Sequence, residues 1–175
     1  KKQALILQAK NERKEYLEES LNQEYVVLIQ DTEVNFSSIG IEKQRISRAD
    51  EMWLRKAQNY FLTVEEDGRK IGSAESYTTM EILKALWRTA ETVGIDPKRF
   101  IVQIYNESRF NPHLEGRSGE RGIGQFKKGT AKYHGYDWDQ MTNGIKGYAY
   151  QAKAAAEYVK QVGEIAYNGG GNRAE

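Results

Sequence analysis

One carboxylate in this sequence stands where a general acid would be useful. Asp96-Pro97 supplies a cap and a first-turn proline, so a helix is expected from Pro97. Phe100, Ile101, Ile104 and Tyr105 form its apolar face, and Asn111-Pro112 halts it. At about 100° per residue, Glu107 falls within about 20° of Phe100. It therefore lies at the rim of the buried face, in the last turn, just before a glycine-rich loop. Partial burial there disfavours the charged form, and the negative end of the helix works in the same direction. A carboxyl group that holds its proton near neutral pH is what acid-assisted glycoside cleavage needs. Ser108 falls near the middle of the apolar face, where its hydroxyl either bonds back to the Ile104 carbonyl or supports the site. Periodicity alone favours a more ordinary reading, a boundary glutamate paired with Arg109 or Arg121.

Other candidates are weaker. Asp137 and Asp139 flank Trp138 and are either a second carboxylate or ordinary helix caps. His113 and His134 lack a third ligand at metal-like spacing, so no metal site is expected. The glycines between 119 and 124 precede no Gly-Lys-Ser/Thr and do not form a phosphate loop. Tyr133, Tyr136, Trp138, Tyr148 and Tyr150 divide between core and sugar-stacking roles.

Several elements must position these residues. The 175 residues are 39% hydrophobic and 29% charged, with a net charge of +1. That is a globular balance with no overall field for nucleic acid. There are no cysteines, which excludes disulfides and thiolate metal sites. No apolar run reaches the length of a membrane span, and no secretory signal is visible. The first 24 or so residues are helix-prone, with Leu5, Leu17 and Leu21 as apolar anchors. Tyr25-Val26-Val27-Leu28-Ile29 is ambiguous between strand and helix, and Ser37-Ser38-Ile39-Gly40 reads as a loop. Asp50 is expected to cap a helix carrying Trp53, Leu54, Ala57, Tyr60, Phe61 and Val64, broken at Asp67-Gly68; Ile71-Gly72-Ser73 continues as loop. Thr78 and Glu81 form a capping-box pattern before a helix that Gly94 ends. A long apolar stripe from Ile145 to Val162 forms the last helix.

Around Glu107 the sequence resembles the soluble lytic transglycosylase domain, a branch of the lysozyme-like superfamily. Gly94-Ile95-Asp96-Pro97 and Glu107-Ser108-Arg109-Phe110-Asn111-Pro112 are similar to that family's opening motif. Gly119, Gly122-Ile123-Gly124-Gln125-Phe126 and Thr130-Ala131 follow at the family's offsets. Gly147 and Tyr150 resemble its Gly-x-x-Tyr helix, and Ala166-Tyr167-Asn168-Gly169-Gly170 its Ala-Tyr-Asn-Ala-Gly turn. The resemblance covers residues 78–175. It implies a mainly α (α+β lysozyme-like) catalytic domain with a glycine-rich loop region, preceded by a helical packing or docking segment over residues 1–77.

It further implies cleavage of the MurNAc-β-1,4-GlcNAc backbone of peptidoglycan, with Glu107 as acid/base and 1,6-anhydro-muramoyl ends as product. Ser108, Ser118, Gln125, Tyr167 and Asn168 would contact or orient the glycan, and no cofactor is implied. The sequence departs from the family at Gly116, where a serine is common, at Gly124, where a groove methionine is common, and at Lys128, where the family has a proline. Ser118 is the expected substitute for the missing serine, and Gly124 is expected to widen the site. The helix that follows the Ala-Tyr-Asn turn in the family is absent, and the chain reads as a piece of a longer protein. Its expected place is the periplasm or cell wall, in a phage virion or tail or a secretion machine, beside neighbouring subunits of that assembly. A hydrolytic muramidase and a structural component with little activity are the alternatives.

Overall fold

The computed structural model describes residues 1–20, 36–41, 43–66 and 76–163. Helices α1 (Lys2–Ser20), α2 (Arg48–Glu66), α3 (Met80–Val93), α4 (Pro97–Ser108), α5 (Lys128–Tyr133), α6 (Trp138–Met141) and α7 (Tyr148–Tyr158) follow one another. A 3₁₀ turn (Gly144–Gly147) leads into α7 and a π turn (Val159–Gly163) follows it. The mainly helical architecture expected from the sequence is present. Among the described residues its β part shrinks to two isolated antiparallel bridges, Glu115–Arg121 and Arg121–Phe126, within the glycine-rich loop.

Local chemistry sets the helix ends. Asp96 accepts the Lys98 N–H at 3.0 Å, and Pro97 occupies the first turn of α4. The start of α3 lies one residue beyond the expected cap: the Thr79 hydroxyl accepts the Ile82 N–H at 3.4 Å. Thr78 is instead buried, bonding Ser76 and donating to Glu65 at 3.4 Å. The start of α2 likewise precedes Asp50, because the Ser47 hydroxyl accepts the Asp50 N–H at 3.1 Å. Asp50 lies inside the first turn, where a negative charge suits the helix dipole. Ser37–Gly40 forms the expected turn, its backbone bonded to Phe36 and Ser37 carbonyls.

The core is built around α7. Tyr148, Ala149, Gln151, Ala152, Ala154, Ala155 and Ala156 are all buried, so the helix is enclosed on most sides rather than along one stripe. Alanine serves both needs: it costs little in a helix, and it lets α3 approach closely. Among the described residues before residue 78, Phe36, Ile41, Leu54, Phe61 and Tyr77 belong to this same core. Leu54 and Leu62 of α2 are fully buried, and Phe61 stacks on Tyr105 of α4 with ring centroids 4.0 Å apart. Trp53 meets Trp87 of α3 at 5.9 Å. On the surface Lys84 pairs with Glu51 at 3.3 Å, and the Arg88 guanidinium donates to the Gln44 carbonyl. Leu5 of α1, expected as an anchor, is 66% exposed. Leu21, Tyr25–Ile29, Asp67-Gly68 and Ile71–Ser73 fall outside the described residues, as does the side chain of Leu17. No described helix is long and apolar enough to cross a membrane.

If α2 belongs to this core, Phe61→Ala should lower unfolding free energy by about 3–5 kcal/mol, the usual cost of deleting a buried phenylalanine. Urea unfolding of the full chain would read this, and a loss below about 1 kcal/mol would place α2 outside the cooperative unit.

Candidate active site

The end of α4 is shaped by an uncommon backbone. Arg109 and Phe110 both adopt left-handed conformations, at φ 50° and 63°. Two such non-glycine residues cost about 1–3 kcal/mol each unless their surroundings hold them. Phe110 provides the hold. Its ring is fully buried, 5.9 Å from Phe61 and 5.7 Å from Tyr105, and its carbonyl accepts the Tyr148 hydroxyl at 3.0 Å. The Arg109 carbonyl accepts the Tyr77 N–H at 2.9 Å. The helix therefore stops one residue after Glu107 and leaves that side chain solvent-exposed at its rim.

Ser108 does not face a ligand. Its hydroxyl is buried and donates within reach of two carbonyls, Ile104 at 3.2 Å and Ile123 at 2.7 Å. Its role is structural, tying the end of α4 to the glycine-rich loop. From the other side, Gln151 of α7 accepts the Ile123 N–H at 3.1 Å and donates to the Gly144 carbonyl at 3.3 Å. Gly122 makes room for this. A Cβ there would lie 2.6 Å from the Gln151 oxygen and 3.0 Å from the Met141 carbonyl, and its φ of 78° suits glycine.

Gln125 closes the loop on itself. Its amide nitrogen donates to the Leu114 and Gly122 carbonyls at 3.1 and 2.8 Å, leaving its oxygen towards Gly116. Gly116 lies in a tight turn, in which its N–H donates to the Glu120 carbonyl at 2.7 Å. A Cβ at 116 would fall 2.2 Å from a Glu120 carboxylate oxygen and 2.9 Å from the Gln125 side-chain oxygen. The Glu120 carboxylate thus occupies the place where a side chain at 116 would begin. Ser118 is exposed, and its backbone N–H donates to Glu120 at 3.0 Å. The widening expected at Gly124 does not occur. A Cβ there would lie 2.7 Å from the Phe126 ring, and that ring is buried against Tyr136 and Tyr158.

The two carboxyl groups are driven apart electrostatically. Crowding by protein on one side of the Glu107 carboxyl raises its pKa above the usual 4.5, and the charge of Glu120 adds to this. Glu120 is pulled below 4.5, chiefly by its own backbone N–H and that of Ser118, with a further contribution from Lys127. Glu107 therefore holds its proton to higher pH than Glu120 does. Such a divided pair is a recurrent arrangement at acid–base sites. The pairing of Glu107 with Arg109 or Arg121 is not what forms. Arg121 lies 3.9 Å from Glu115, and the Arg109 charge bears on Tyr105.

The remaining candidates sort plainly. Asp137 is a helix cap, accepting the Asp139 N–H at 2.9 Å at the start of α6. Its own N–H donates to the Tyr150 hydroxyl at 2.8 Å. The His113 ring lies over Gly144, and His134 stacks among Tyr133, Tyr136 and Tyr158. No cluster of three potential metal ligands occurs among the described residues. Tyr148 is core and Tyr133 is 86% exposed. Gly147 is required by space, since a Cβ would lie 2.1 Å from the Gln140 carbonyl. Tyr167 and Asn168 fall outside the described residues. Neither Glu120 nor Gln151 stands out as a candidate in the sequence. Gln151 was legible as the polar interruption of an alanine-rich helix, whereas Glu120 resembles any loop glutamate until its turn is folded.

Residues 85–175, just over half of the chain, match the transglycosylase SLT domain family, and the chain belongs to that family. Membership carries a lytic-transglycosylase type of activity in general, directed at cell-wall peptidoglycan. No curated protein and no solved structure matches the chain.

Two measurements test this geometry. Gln151→Leu strands the buried Ile123 N–H, so unfolding free energy should fall by about 1–3 kcal/mol; an unchanged urea midpoint would refute the pinning of the loop. Glu107 has a folded-state pKa above its unfolded value. Its stabilising contribution is complete below about 4.5 and is lost as pH rises through the raised value. Glu107→Gln should therefore gain stability relative to the parent as pH increases across that window, and calorimetry showing a constant difference would contradict the raised value.

Proposed function

We propose that this chain cleaves the MurNAc-β-1,4-GlcNAc bond by intramolecular transglycosylation, with Glu107 as the single acid/base. One observation carries the reading. Within the family-matched span, Glu107 is a solvent-reachable carboxyl with raised proton affinity, held at a fixed helix end. The proton of Glu107 passes to the glycosidic oxygen, the C1–O bond breaks, and the sugar beyond leaves with a free 4-hydroxyl. The C6 hydroxyl of the muramoyl residue then bonds to C1 and returns its proton to Glu107. Atoms balance without water, and the product carries a 1,6-anhydro ring. The nucleophile belongs to the substrate and is already positioned, which replaces the second carboxylate that hydrolases use for water or covalent attack.

The Gln125 side-chain oxygen and Ser118 border the glycan in this reading, with Tyr167 and Asn168 completing the wall near Glu107. Ser108 acts from beneath, through the loop. The biological role is local cell-wall penetration from the periplasmic or wall side, with the chain carried by a virion, tail or secretion assembly whose subunits are its neighbours.

Digestion of purified peptidoglycan followed by mass spectrometry of the fragments tests the chemistry. Anhydro-muramoyl ends are expected, and Glu107→Gln should reduce release by at least about 100-fold while preserving the folded spectrum. Reducing ends would establish a hydrolytic muramidase instead. No release by the parent, matched by the variant, would leave a structural component.

A further inference from the structure

The turn at Gly116–Glu120 places a charge where the family's pattern places a small side chain. Glycine at 116 leaves its Cα bare, and the Glu120 carboxylate lies over it, 2.2 Å from where a Cβ would be. The position is fixed by the Glu120 carbonyl accepting the Gly116 N–H and by the Ser118 N–H on the carboxylate itself. The Gln125 oxygen lies on the same face, 2.9 Å from that Cβ position. The two oxygens therefore flank one spot on the loop, and the charge of Glu120 adds to the rise in the Glu107 pKa that burial causes.

We propose that Glu120 is a positioning carboxylate of this site, presenting from the bare face of Gly116 a fixed negative charge that orients and stabilises the positively charged sugar ring formed as the glycosidic bond breaks. The inference rests on Glu107 being the acid. Preorganised charge of this kind is effective because it is already in place when the substrate's charge develops. No other ionisable side chain of the described residues bears on Glu107. Lys127, at the start of α5, acts on Glu120; Arg121 is turned to Glu115; and Arg109 acts on Tyr105. Asp137 is bound to the N-terminus of α6. The carboxylate that a glycosidase-like site would want is thus supplied by the turn and not by the Asp137–Asp139 loop. Gly116 and Glu120 form one unit, since a side chain at 116 would displace the carboxylate.

The test uses the full chain, purified peptidoglycan and four variants. Glu120→Gln keeps an oxygen to accept the Ser118 N–H, so the turn is retained while the charge is removed. Its kcat should fall about tenfold or more with KM little changed, the mark of an interaction made mainly in the transition state. The alkaline limb of its pH–rate profile should move to lower pH, because Glu107 loses its proton sooner. Glu120→Asp should recover part of the shift, and Gly116→Ser should imitate Glu120→Gln by pushing the carboxylate aside. A Glu120→Gln enzyme with the parent's rate and limb would overturn the proposal. Glu107→Gln separates the two readings. If it is as active as the parent, the acid assignment fails and takes this inference with it; if it is inactive while Glu120→Gln is unaffected, only this inference fails. Carbon NMR titration of Glu107 in the parent and in Glu120→Gln decides independently of turnover. The Glu107 midpoint should drop in the variant, and an unchanged midpoint would also overturn the proposal.

Discussion

Burying Phe110 is the constraint on which the site depends. Its ring fills the junction of α2 and α4, against Phe61 and Tyr105, and its carbonyl is held by Tyr148 of α7. To bring that ring inward, the chain must leave the helix through two successive left-handed residues. The cost of that backbone is met by aromatic packing and by hydrogen bonds to groups that are themselves buried. The helix consequently ends one residue after Glu107, and the carboxyl is exposed at a rigid terminus. A flexible helix end would hold it less well, since small displacements of catalytic groups are expensive.

The glycine-rich loop is ordered by the same logic from below. Ser108 reaches up from α4 and Gln151 across from α7, and both engage Ile123, one at its carbonyl and one at its N–H. Buried polar groups of this kind are costly unless paired, so each fixes the position of its partner. The glycines around them mark where other atoms come too close for a side chain. At Gly124 the intruder is the Phe126 ring, at Gly147 the Gln140 carbonyl, and at Gly116 the Glu120 carboxylate. The first two substitutions of space are structural. The third places a charge in the site.

This arrangement alters the chemical picture drawn from the motif alone. The resemblance to the lytic transglycosylase domain implied intramolecular ring closure with Glu107 alone as acid/base. With Glu120 beside it, Glu107 has its proton affinity raised while that of Glu120 is lowered, so the two carboxyl groups differ in how readily they give up a proton. In the proposed reaction the substrate's own hydroxyl remains the nucleophile. What changes is the origin of the electrostatic support, which comes from a turn in which this chain departs from the family's pattern.

The sequence by itself determined α3, α4 and α7 and the candidacy of Glu107. Both rest on local rules: Asp96-Pro97 and Gly94 act on their own backbone, and apolar spacing on α4 places Glu107 at the rim whatever lies opposite. It also identified the mainly helical class, because motif order is written along the chain. Tertiary structure alone decided the rest. Whether Thr78 or Thr79 caps α3 depended on Glu65, thirteen residues earlier, drawing Thr78 into a buried network. Whether Gly124 opened the site depended on where the Phe126 ring would lie, and the fate of Asp137 depended on a short helix needing a cap. Ser108 became a strut because Ile123 arrived from across the loop. Glu120 became a site residue only when a five-residue turn folded its carboxylate back over Gly116. Spacing along a strand of sequence reports direction on a helix or strand, but it carries no information about which atoms of a loop will meet, and that is where the second charge of this site was decided.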